Sequence, residues 1–220
     1  MTLNRYRGSV TPWLQRAAGP FLGWSPSRLS FLALTTAALA GGLAAAVRWT
    51  TPMLFLGVAV LVVLSGFWDA LDGEVARQTG RASIRGDFLD HVLDRYADVV
   101  VLVGIAISGW ADPALTLLAL VSLLLTSYMG TQAQAVGQGR MYGGLVGRAD
   151  RLVILAAACF LEFDWSLPWP WAPSRPWERF SAYGVHFTVL DVAMLLLVVT
   201  SQWTALSRAV RTYRRLPPSP

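Results

Sequence analysis

The sequence predicts an all-α integral membrane protein, with six transmembrane helices and an N-terminal amphipathic helix at the membrane interface. Three observations carry this prediction. Hydrophobic residues make up 55% of the chain and charged residues only 14%, whereas soluble domains carry about a quarter of charged residues. Apolar runs of membrane-spanning length recur along the chain. The arginines, in turn, are unevenly shared among the connections between those runs.

Six segments approach the roughly 20 mostly apolar residues that a helix needs to cross a bilayer. They are residues 29–47, 49–68, 87–111, 113–139, 144–161 and 184–207. The first, second and fourth contain no charged residue, and the third and fifth carry their charges towards one end. We therefore expect a single membrane domain over residues 1–216, with the six-helix bundle at 26–210 and a Pro-rich tail at 217–220.

The arginines indicate how the chain is oriented in the membrane. Six spans place both termini on one side, and fifteen of the eighteen arginines then fall on that side. Cytoplasmic loops are enriched in basic residues, so we expect both termini to be cytoplasmic in the cell membrane. Residues 1–25 mix apolar positions with arginines, as is typical of an amphipathic helix on the inner leaflet. The Trp-rich stretch 164–177 is then an external interfacial loop.

Four aspartates lie where the second and third spans meet the cytoplasmic face. Asp69 and Asp72 are spaced i,i+3, and Asp90 and Asp94 are spaced i,i+4, so each pair shares one face of its helix. Acidic residues in membrane helices are costly, which makes function the default interpretation. Carboxylates without His or Cys suit Mg²⁺ or Mn²⁺, and two such ions could clamp a diphosphate. Helix capping or pairing with arginines is the alternative, but it accounts for one or two carboxylates rather than four.

Small residues and an arginine follow the first aspartate pair. Gly73 and Ala76 leave room for a flat group to approach the helix backbone. Arg77 offers a planar guanidinium suited to phosphate oxygens. Gly86 begins the third span, although Gly73 and Gly86 could equally be packing or capping glycines. These positions extend the candidate site from a metal cluster to a phosphate-binding pocket.

Taken together, the chain resembles the CDP-alcohol phosphotransferase family, whose signature is matched at every position by Asp69-x2-Asp72-Gly73-x2-Ala76-Arg77-x8-Gly86-x3-Asp90-x3-Asp94. The resemblance implies a transferase of phospholipid biosynthesis. Such an enzyme moves a lipid-phosphoryl group from a CDP-linked lipid to a polar alcohol and releases CMP. Six spans, a cytoplasmic active site and a homodimer are further features that the resemblance implies. No nucleic-acid partner is expected.

The resemblance also implies roles for individual residues. Two divalent ions, Mg²⁺ or Mn²⁺, would be held by Asp69, Asp72, Asp90 and Asp94, and Asp94 would in addition be the general base. Contacts to the CDP-lipid would come from Pro26, Ser27, Arg28, Leu29, Gly73, Ala76, Arg77, Ser83 and Gly86. The segment 25–30 resembles the family's Ser-Pro-Asn/Asp-x-x-Thr stretch, with Ser27 where Asn or Asp is usual.

The acceptor alcohol is indicated by two arginines at the start of the fifth span. Arg148 and Arg151 are spaced i,i+3, and paired arginines beside a metal–phosphate site suggest a phosphate on the acceptor. Positive-inside topology or pairing with Asp150 is the alternative. The stretch 147–152 resembles the branch that uses inositol 1-phosphate, the phosphatidylinositol-phosphate and archaetidylinositol-phosphate synthases. Glycerol 3-phosphate stays open as an acceptor because it also carries a phosphate, whereas serine would not need these arginines.

Other residues keep two interpretations. Tyr128 and Gln132 either line the acceptor pocket or serve as packing and helix–helix hydrogen bonding. Asp98 either orders the metal ligands or pairs with an arginine, and Asp191 has no evident partner in the sequence. Cys159, the single cysteine, excludes an intrachain disulfide and is expected to be inert packing.

Two other classes of function are compatible with membrane helices that carry aspartates. A cation transporter would place the carboxylates near the bilayer midplane, on broken or repeated helices, whereas here they lie at one face and no repeat is evident. A non-catalytic scaffold gives no reason for the fixed spacing. The lipid itself, diacylglycerol or archaeol, is not distinguished by the sequence.

Overall fold

The computed structural model describes residues 7–139, 144–167, 180–182 and 185–216. Its α-helices are α1 (Arg7–Ala18), α2 (Pro26–Ala46), α3 (Leu54–Gln78), α4 (Ile84–Ser108), α5 (Pro113–Ala135), α6 (Arg148–Trp165) and α7 (Val189–Arg215). Single 3-10 turns, Gly19–Phe21 and Val47–Trp49, precede and follow α2. The prediction of a helical fold is thus confirmed for the described part of the chain.

Within the described residues, four helices are long and apolar enough to cross a membrane: α2 with the turn after it, α3, α5 and α7. The chain is therefore a multi-pass membrane protein. Helices α4 and α6 occupy the predicted third and fifth spans, but charged residues in their N-terminal halves reduce their hydropathy. Their crossing of the membrane remains a prediction.

The boundaries of two spans differ from the predicted ones. Helix α3 begins at Leu54 and continues to Gln78, so Asp69 and Asp72 lie inside a continuous helix rather than at its end. The sixth span does not begin at residue 184. Residues Val185–Phe187 form a strand, β2, that pairs antiparallel with β1 (Phe180–Ala182). Helix α7 starts after this hairpin, which the sequence did not predict.

Helix α2 is the centre of one half of the bundle, because it packs against both α3 and α4. Its crossing with α4 is made by glycines. A Cβ atom added to Gly41 would collide with the backbone of Val100, and one added to Gly104 would collide with the backbone of Gly41. Small residues at such crossings allow close approach of backbones in membrane bundles. Helix α5 packs against α7, and α6 joins the halves by packing against both α3 and α7.

Helix α1 lies against the start of α2 and against the end of α3 that carries acidic residues. The rings of Trp13 and Phe67 are 5.9 Å apart, and Ala18 is buried in one cluster with Leu29 and Leu71. Residues 1–6, the 217–220 tail and most of the predicted 164–177 loop lie outside the described residues. The placement of α1 at the membrane surface remains a prediction.

At the opposite end of the bundle, acidic side chains connect neighbouring helices through hydrogen bonds. Asp191 accepts hydrogen bonds from the backbone N–H and hydroxyl of Thr188, at 2.9 and 3.0 Å, and so caps α7. Its other oxygen accepts the backbone N–H of Asp112 at 2.6 Å, which connects α7 to the start of α5. Glu162 of α6 accepts the N–H of Leu190 at 3.0 Å. Asp191, for which the sequence offered no role, is thus structural.

Candidate active site

Three of the four predicted metal ligands converge between α3 and α4. Oxygens of Asp69, Asp72 and Asp90 all lie within 4.8 Å of one another. The two helices are connected by a tight turn in which Gly80 has a φ of +66°, a conformation that glycine adopts without strain. The prediction that the acidic pairs meet in one place therefore agrees with the structure for these three residues.

Asp94, the fourth predicted ligand, is turned towards an arginine. Its Oδ1 lies 2.7 Å from Nη1 of Arg148, and the same Nη1 contacts Oδ1 of Asp69. Asp94 is buried, and its neighbour Arg95 is 3.8 Å away. One guanidinium therefore bridges the two aspartate pairs, at the position where the sequence predicts a metal ion.

The charges continue from this bridge into the bundle. Asp98, one turn after Asp94, lies 3.4 Å from Arg95 and 3.7 Å from Arg151. This agrees with the arginine-pairing interpretation of Asp98. The side chains of Asp98 and Arg151 are only 10% and 11% exposed, so the network is almost shielded from solvent. Asp150, the alternative partner for the arginines, accepts a hydrogen bond from the Gly147 N–H at 2.8 Å and caps α6.

This network carries fewer positive than negative charges. Its ionisable members are Asp69, Asp72, Asp90, Asp94, Asp98, Arg95, Arg148 and Arg151. Five carboxylates thus face three guanidinium groups, and crowded like charges need further compensation. A divalent cation fits this deficit, and oxygen-only ligands match the hard ions Mg²⁺ and Mn²⁺. The donor set is therefore suited to the predicted metal.

Several guanidinium donors are buried without a partner among the described residues. They are Nε of Arg95, Nε of Arg148, and both Nε and Nη1 of Arg151. Buried polar groups in proteins are normally hydrogen-bonded, and each exception calls for an explanation. Arg148 and Arg151 also border a small cavity of about 20 Å³ inside the bundle. The two predicted acceptor-binding arginines thus present donors without a hydrogen-bond partner beside this cavity.

Ser30 belongs to the site although the sequence analysis gave it no role. Its hydroxyl donates a 2.6 Å hydrogen bond to Oδ2 of Asp72, and both side chains are buried. Ser30 reaches Asp72 because α2 packs against α3. The signal was present in the sequence, since Ser30 occupies the hydroxyl position that ends the Ser-Pro-Asn/Asp-x-x-Thr-like segment.

The residues predicted to contact the CDP-lipid lie on α2, on α3 and at the start of α4. Pro26, Ser27, Arg28 and Leu29 form the first turn of α2, where Arg28 is exposed and Leu29 is buried.

On α3, the Arg77 guanidinium is held at 2.7 Å by Glu74, which is buried and also accepts from Gln78 at 2.9 Å. A Cβ on Gly73 would lie 3.4 Å from that guanidinium. Ala76 lies between Glu74 and Arg77 on the same helix and is partly buried. Glu74 is a second residue that the sequence analysis missed, and its i,i+3 spacing to Arg77 was the available signal.

The other predicted site residues have mixed positions. Ser83 caps α4, since its hydroxyl accepts the N–H of Gly86 at 3.1 Å, so both have a structural role there. Tyr128 is 51% exposed, and its hydroxyl accepts a hydrogen bond from Gln132. The structure does not bring this pair into either cavity beside the carboxylates.

Comparison with known proteins identifies the family of this chain. The model of the CDP-alcohol phosphatidyltransferase family matches residues 25–203, which include every described charged residue of the network. The chain belongs to that family. It is accordingly a phosphatidyltransferase-type enzyme, and the transporter and scaffold interpretations are set aside.

Two relatives illustrate where the chain stands within the family. It is 29% identical over 214 residues to the archaetidylinositol phosphate synthase of Methanothermobacter thermautotrophicus, covering 97% of this chain and 95% of that protein. It is 32% identical over 223 residues to the phosphatidylinositol phosphate synthase of Streptomyces avermitilis, covering 97% of this chain and 83% of that one. The similarity thus extends over almost the whole of the chain.

Solved structures of a relative agree with the fold. The phosphatidylinositol phosphate synthase of Mycobacterium tuberculosis, in complex with manganese and citrate, superposes with a TM-score of 0.71 at 25% identity, covering 91% of this chain and 88% of that one. The same protein with CDP-DAG bound gives a TM-score of 0.68, covering 91% and 93%. A manganese complex of a relative and the acidic cluster of this chain together indicate a divalent-metal enzyme.

Proposed function

We propose that this chain transfers a lipid-phosphoryl group from a CDP-linked lipid to inositol 1-phosphate and releases CMP. The observation that carries the acceptor assignment is the set of buried, unsatisfied donors on Arg148 and Arg151 beside the acidic cluster. A phosphate monoester offers the oxygens that these N–H groups lack. The names of the inositol-phosphate relatives support the same acceptor.

The CDP-linked lipid is proposed to bind between the first turn of α2 and the Gly73–Arg77 segment of α3. Arg77 is 62% exposed at its side chain, and Glu74 fixes its guanidinium, so a diphosphate can approach without burying an unpaired charge. Gly73 leaves open the space next to that guanidinium. Both CDP-diacylglycerol and CDP-archaeol would present the same diphosphate to these groups.

Asp94 is proposed as the general base. It would accept the proton from the acceptor hydroxyl, whose oxygen attacks the phosphorus atom nearer the lipid while the bond from that phosphorus to CMP breaks. Its burial keeps water away from the reacting groups. Arg148 must leave Asp94 before this step, because a carboxylate paired with a guanidinium is a weak base.

Two divalent ions, Mg²⁺ or Mn²⁺, are proposed to be held by Asp69, Asp72, Asp90 and Asp94. When bound, they would supply positive charge against the diphosphate and the leaving CMP. Three of these carboxylates have oxygens within 4.8 Å of one another, and Asp69 and Asp94 would exchange Arg148 for the metal.

The placement in the membrane follows from the arginines. We propose six spans that include α4 and α6, both termini and the acidic site on the cytoplasmic side of the cell membrane, α1 on the inner surface, and a homodimer. Residues 1–216 are proposed to form one domain. The charged faces of α4 and α6 turn towards each other through Asp94, Asp98, Arg148 and Arg151, which removes them from lipid.

The direct test is CMP release by the purified full chain supplied with CDP-diacylglycerol, Mn²⁺ or Mg²⁺ and inositol 1-phosphate. We expect activity that is lost on addition of EDTA and falls by about 10³-fold or more in Asp94→Asn, since general-base catalysis contributes about 10²–10⁴-fold. Asp87→Asn is the matched control, because Asp87 lies on the same helix and is 65% exposed next to His91. Undiminished CMP release in Asp94→Asn and in EDTA would refute the proposed chemistry.

The identity of the acceptor is tested by comparing different alcohols in the same assay. Glycerol 3-phosphate, inositol and serine are compared with inositol 1-phosphate at equal concentration, and CDP-archaeol is compared with CDP-diacylglycerol. We expect inositol 1-phosphate to give the highest kcat/KM and free inositol to fail. Preference for glycerol 3-phosphate would leave the chemistry intact and change only the acceptor.

A further inference from the structure

Arg148 occupies an unusual position for a residue that recognises a substrate. Its Nη1 contacts both Asp69 and Asp94, two carboxylates that the proposed function assigns to metal ions, whereas its Nε has no hydrogen-bond partner among the described residues. Its side chain is 17% exposed. A guanidinium held in this way neutralises part of the acidic cluster, and its Nη1 is not available to an anion.

The guanidinium and a metal ion bridging the same two carboxylates exclude each other. Both are cations that need the same oxygens of Asp69 and Asp94, and these oxygens cannot contact both at once. A divalent ion brings twice the charge of the arginine, so exchange is favourable at an acidic cluster that remains under-compensated. The geometry therefore couples metal binding to the position of the Arg148 side chain.

Arg148 lies between two recesses of the bundle. It lines both the narrow one beside Asp69, Asp90 and Asp94 and a larger cavity of about 20 Å³. The larger cavity is also lined by Asp98 and Arg151. A rotation of the side chain would take the guanidinium from the first cavity to the second, where Asp98 offers a carboxylate and Arg151 offers neighbouring donors.

We propose that Arg148 is an internal counter-ion that closes the metal-free site, and that divalent metal binding releases it to join Arg151 in binding an anionic acceptor. Metal loading would then prepare the acceptor subsite and replace Arg148 at Asp94 at the same time. This inference rests on the proposed function for the nature of the acceptor, but its first element, competition between arginine and metal, is independent of any substrate.

The competition is tested by Mn²⁺ binding to the full chain without substrates, measured from the electron paramagnetic resonance signal of free Mn²⁺. We expect Arg148→Met and Arg148→Gln to bind Mn²⁺ about tenfold more tightly than the unmodified chain, within the usual range of coupling between sites. Arg48→Met is the matched control, since it removes an arginine near the opposite end of the bundle whose guanidinium donates to the Ile107 carbonyl, and its affinity should stay within about twofold. Equal or weaker binding in both Arg148 variants would overturn the proposal.

A second measurement uses the unmodified chain and so does not depend on a variant folding. An arginine-specific dicarbonyl reagent is applied with and without Mn²⁺, and modification is located by mass spectrometry. The rate at Arg148 should rise on Mn²⁺ addition relative to Arg48, which lies near the opposite end of the bundle and donates to the Ile107 carbonyl at 3.3 Å. An unchanged or lower rate at Arg148 would contradict its release.

The proposed function and the counter-ion role of Arg148 can be refuted independently of each other. CMP release from inositol 1-phosphate with no gain of Mn²⁺ affinity in the Arg148 variants would keep the proposed function and remove the counter-ion role. A gain of affinity without CMP release from any acceptor would keep the competition and remove the proposed function.

Discussion

At the scale of single residues, the hydroxyl of Ser30 fixes one oxygen of a carboxylate that we propose binds metal. Its 2.6 Å hydrogen bond to Oδ2 of Asp72 holds a carboxylate that has an oxygen within 4.8 Å of oxygens of Asp69 and Asp90. Groups that orient metal ligands in this way commonly change metal affinity by about 10–100-fold when they are removed. We therefore propose that Ser30 acts on the metal through Asp72 as a positioning residue.

We expect Ser30→Ala to weaken Mn²⁺ binding by about tenfold and Ser30→Thr to restore it, because threonine keeps the hydroxyl. The measurement is Mn²⁺ titration followed by electron paramagnetic resonance. Thr36→Ala is the matched control, since that hydroxyl is buried on the same helix but bonds only to its own helix backbone in the described contacts. If Thr36→Ala weakened Mn²⁺ binding as much as Ser30→Ala does, the effect would be one of packing.

The convergence of the aspartates could be predicted from residue spacing, but the partners of each could not. Spacings of i,i+3 and i,i+4 fix which residues share a helix face, and this was sufficient to bring Asp69, Asp72 and Asp90 together. The contact of Arg148 with Asp94 depends on the packing of α6 against α3, across more than 50 positions of the chain. Local periodicity holds no information about such a contact.

At the scale of elements, the crossing of α2 and α4 sets the distance between the parts of the site. The backbone contact between Gly41 and Gly104 brings Ser30 and the first turn of α2 close to the helix that carries Asp90 and Asp94. Either glycine enlarged by one methyl group would force the helices apart. The crossing thus couples packing in the middle of the bundle to geometry at its acidic end.

Adjacent glycines on α2 provide a matched comparison. Gly41→Ala should lower the thermal unfolding midpoint of the detergent-purified protein by several degrees, since overpacking costs about 1–3 kcal/mol. Gly42→Ala should leave the midpoint unchanged or raise it slightly, because nothing lies within 4 Å of its added Cβ and alanine is the better helix former. Equal effects of the two substitutions would show that the close crossing is not what makes Gly41 necessary.

The element boundaries illustrate what hydropathy alone misses. Uncharged runs located α2 and α5 to within a few residues, but the run at 49–68 ended ten residues before α3 does. The charged residues that follow it stay helical because Asp72 and Glu74 are buried against Ser30, Arg77 and Gln78. The start of α7 is set by the Thr188–Asp191 capping box, a pattern that was readable in the sequence.

At the scale of the whole molecule, the open question is whether α4 and α6 cross the membrane with the four more apolar helices. Both carry charged residues in their N-terminal halves, and these charges meet inside the bundle through Arg148–Asp94 and Arg151–Asp98. Charges that face one another in the interior are compatible with a membrane span, whereas charges facing lipid are not. Two further crossings also keep Arg148 and Arg151 on the same side as both termini.

Cysteine labelling decides this topology, because the single native cysteine, Cys159, is fully buried. Four exposed positions near helix ends are replaced in turn: Met53→Cys, Ala82→Cys, Ala114→Cys and Ala135→Cys. If α3, α4 and α5 each cross the membrane and the acidic site is cytoplasmic, a membrane-impermeant maleimide applied to intact cells labels positions 53 and 114. In inverted vesicles the same reagent should label positions 82 and 135. Labelling of positions 82 and 114 from the same side would mean that α4 does not cross the membrane. Labelling of position 82 in intact cells would place the acidic site outside. A CDP-linked substrate made in the cytoplasm could not reach a site there.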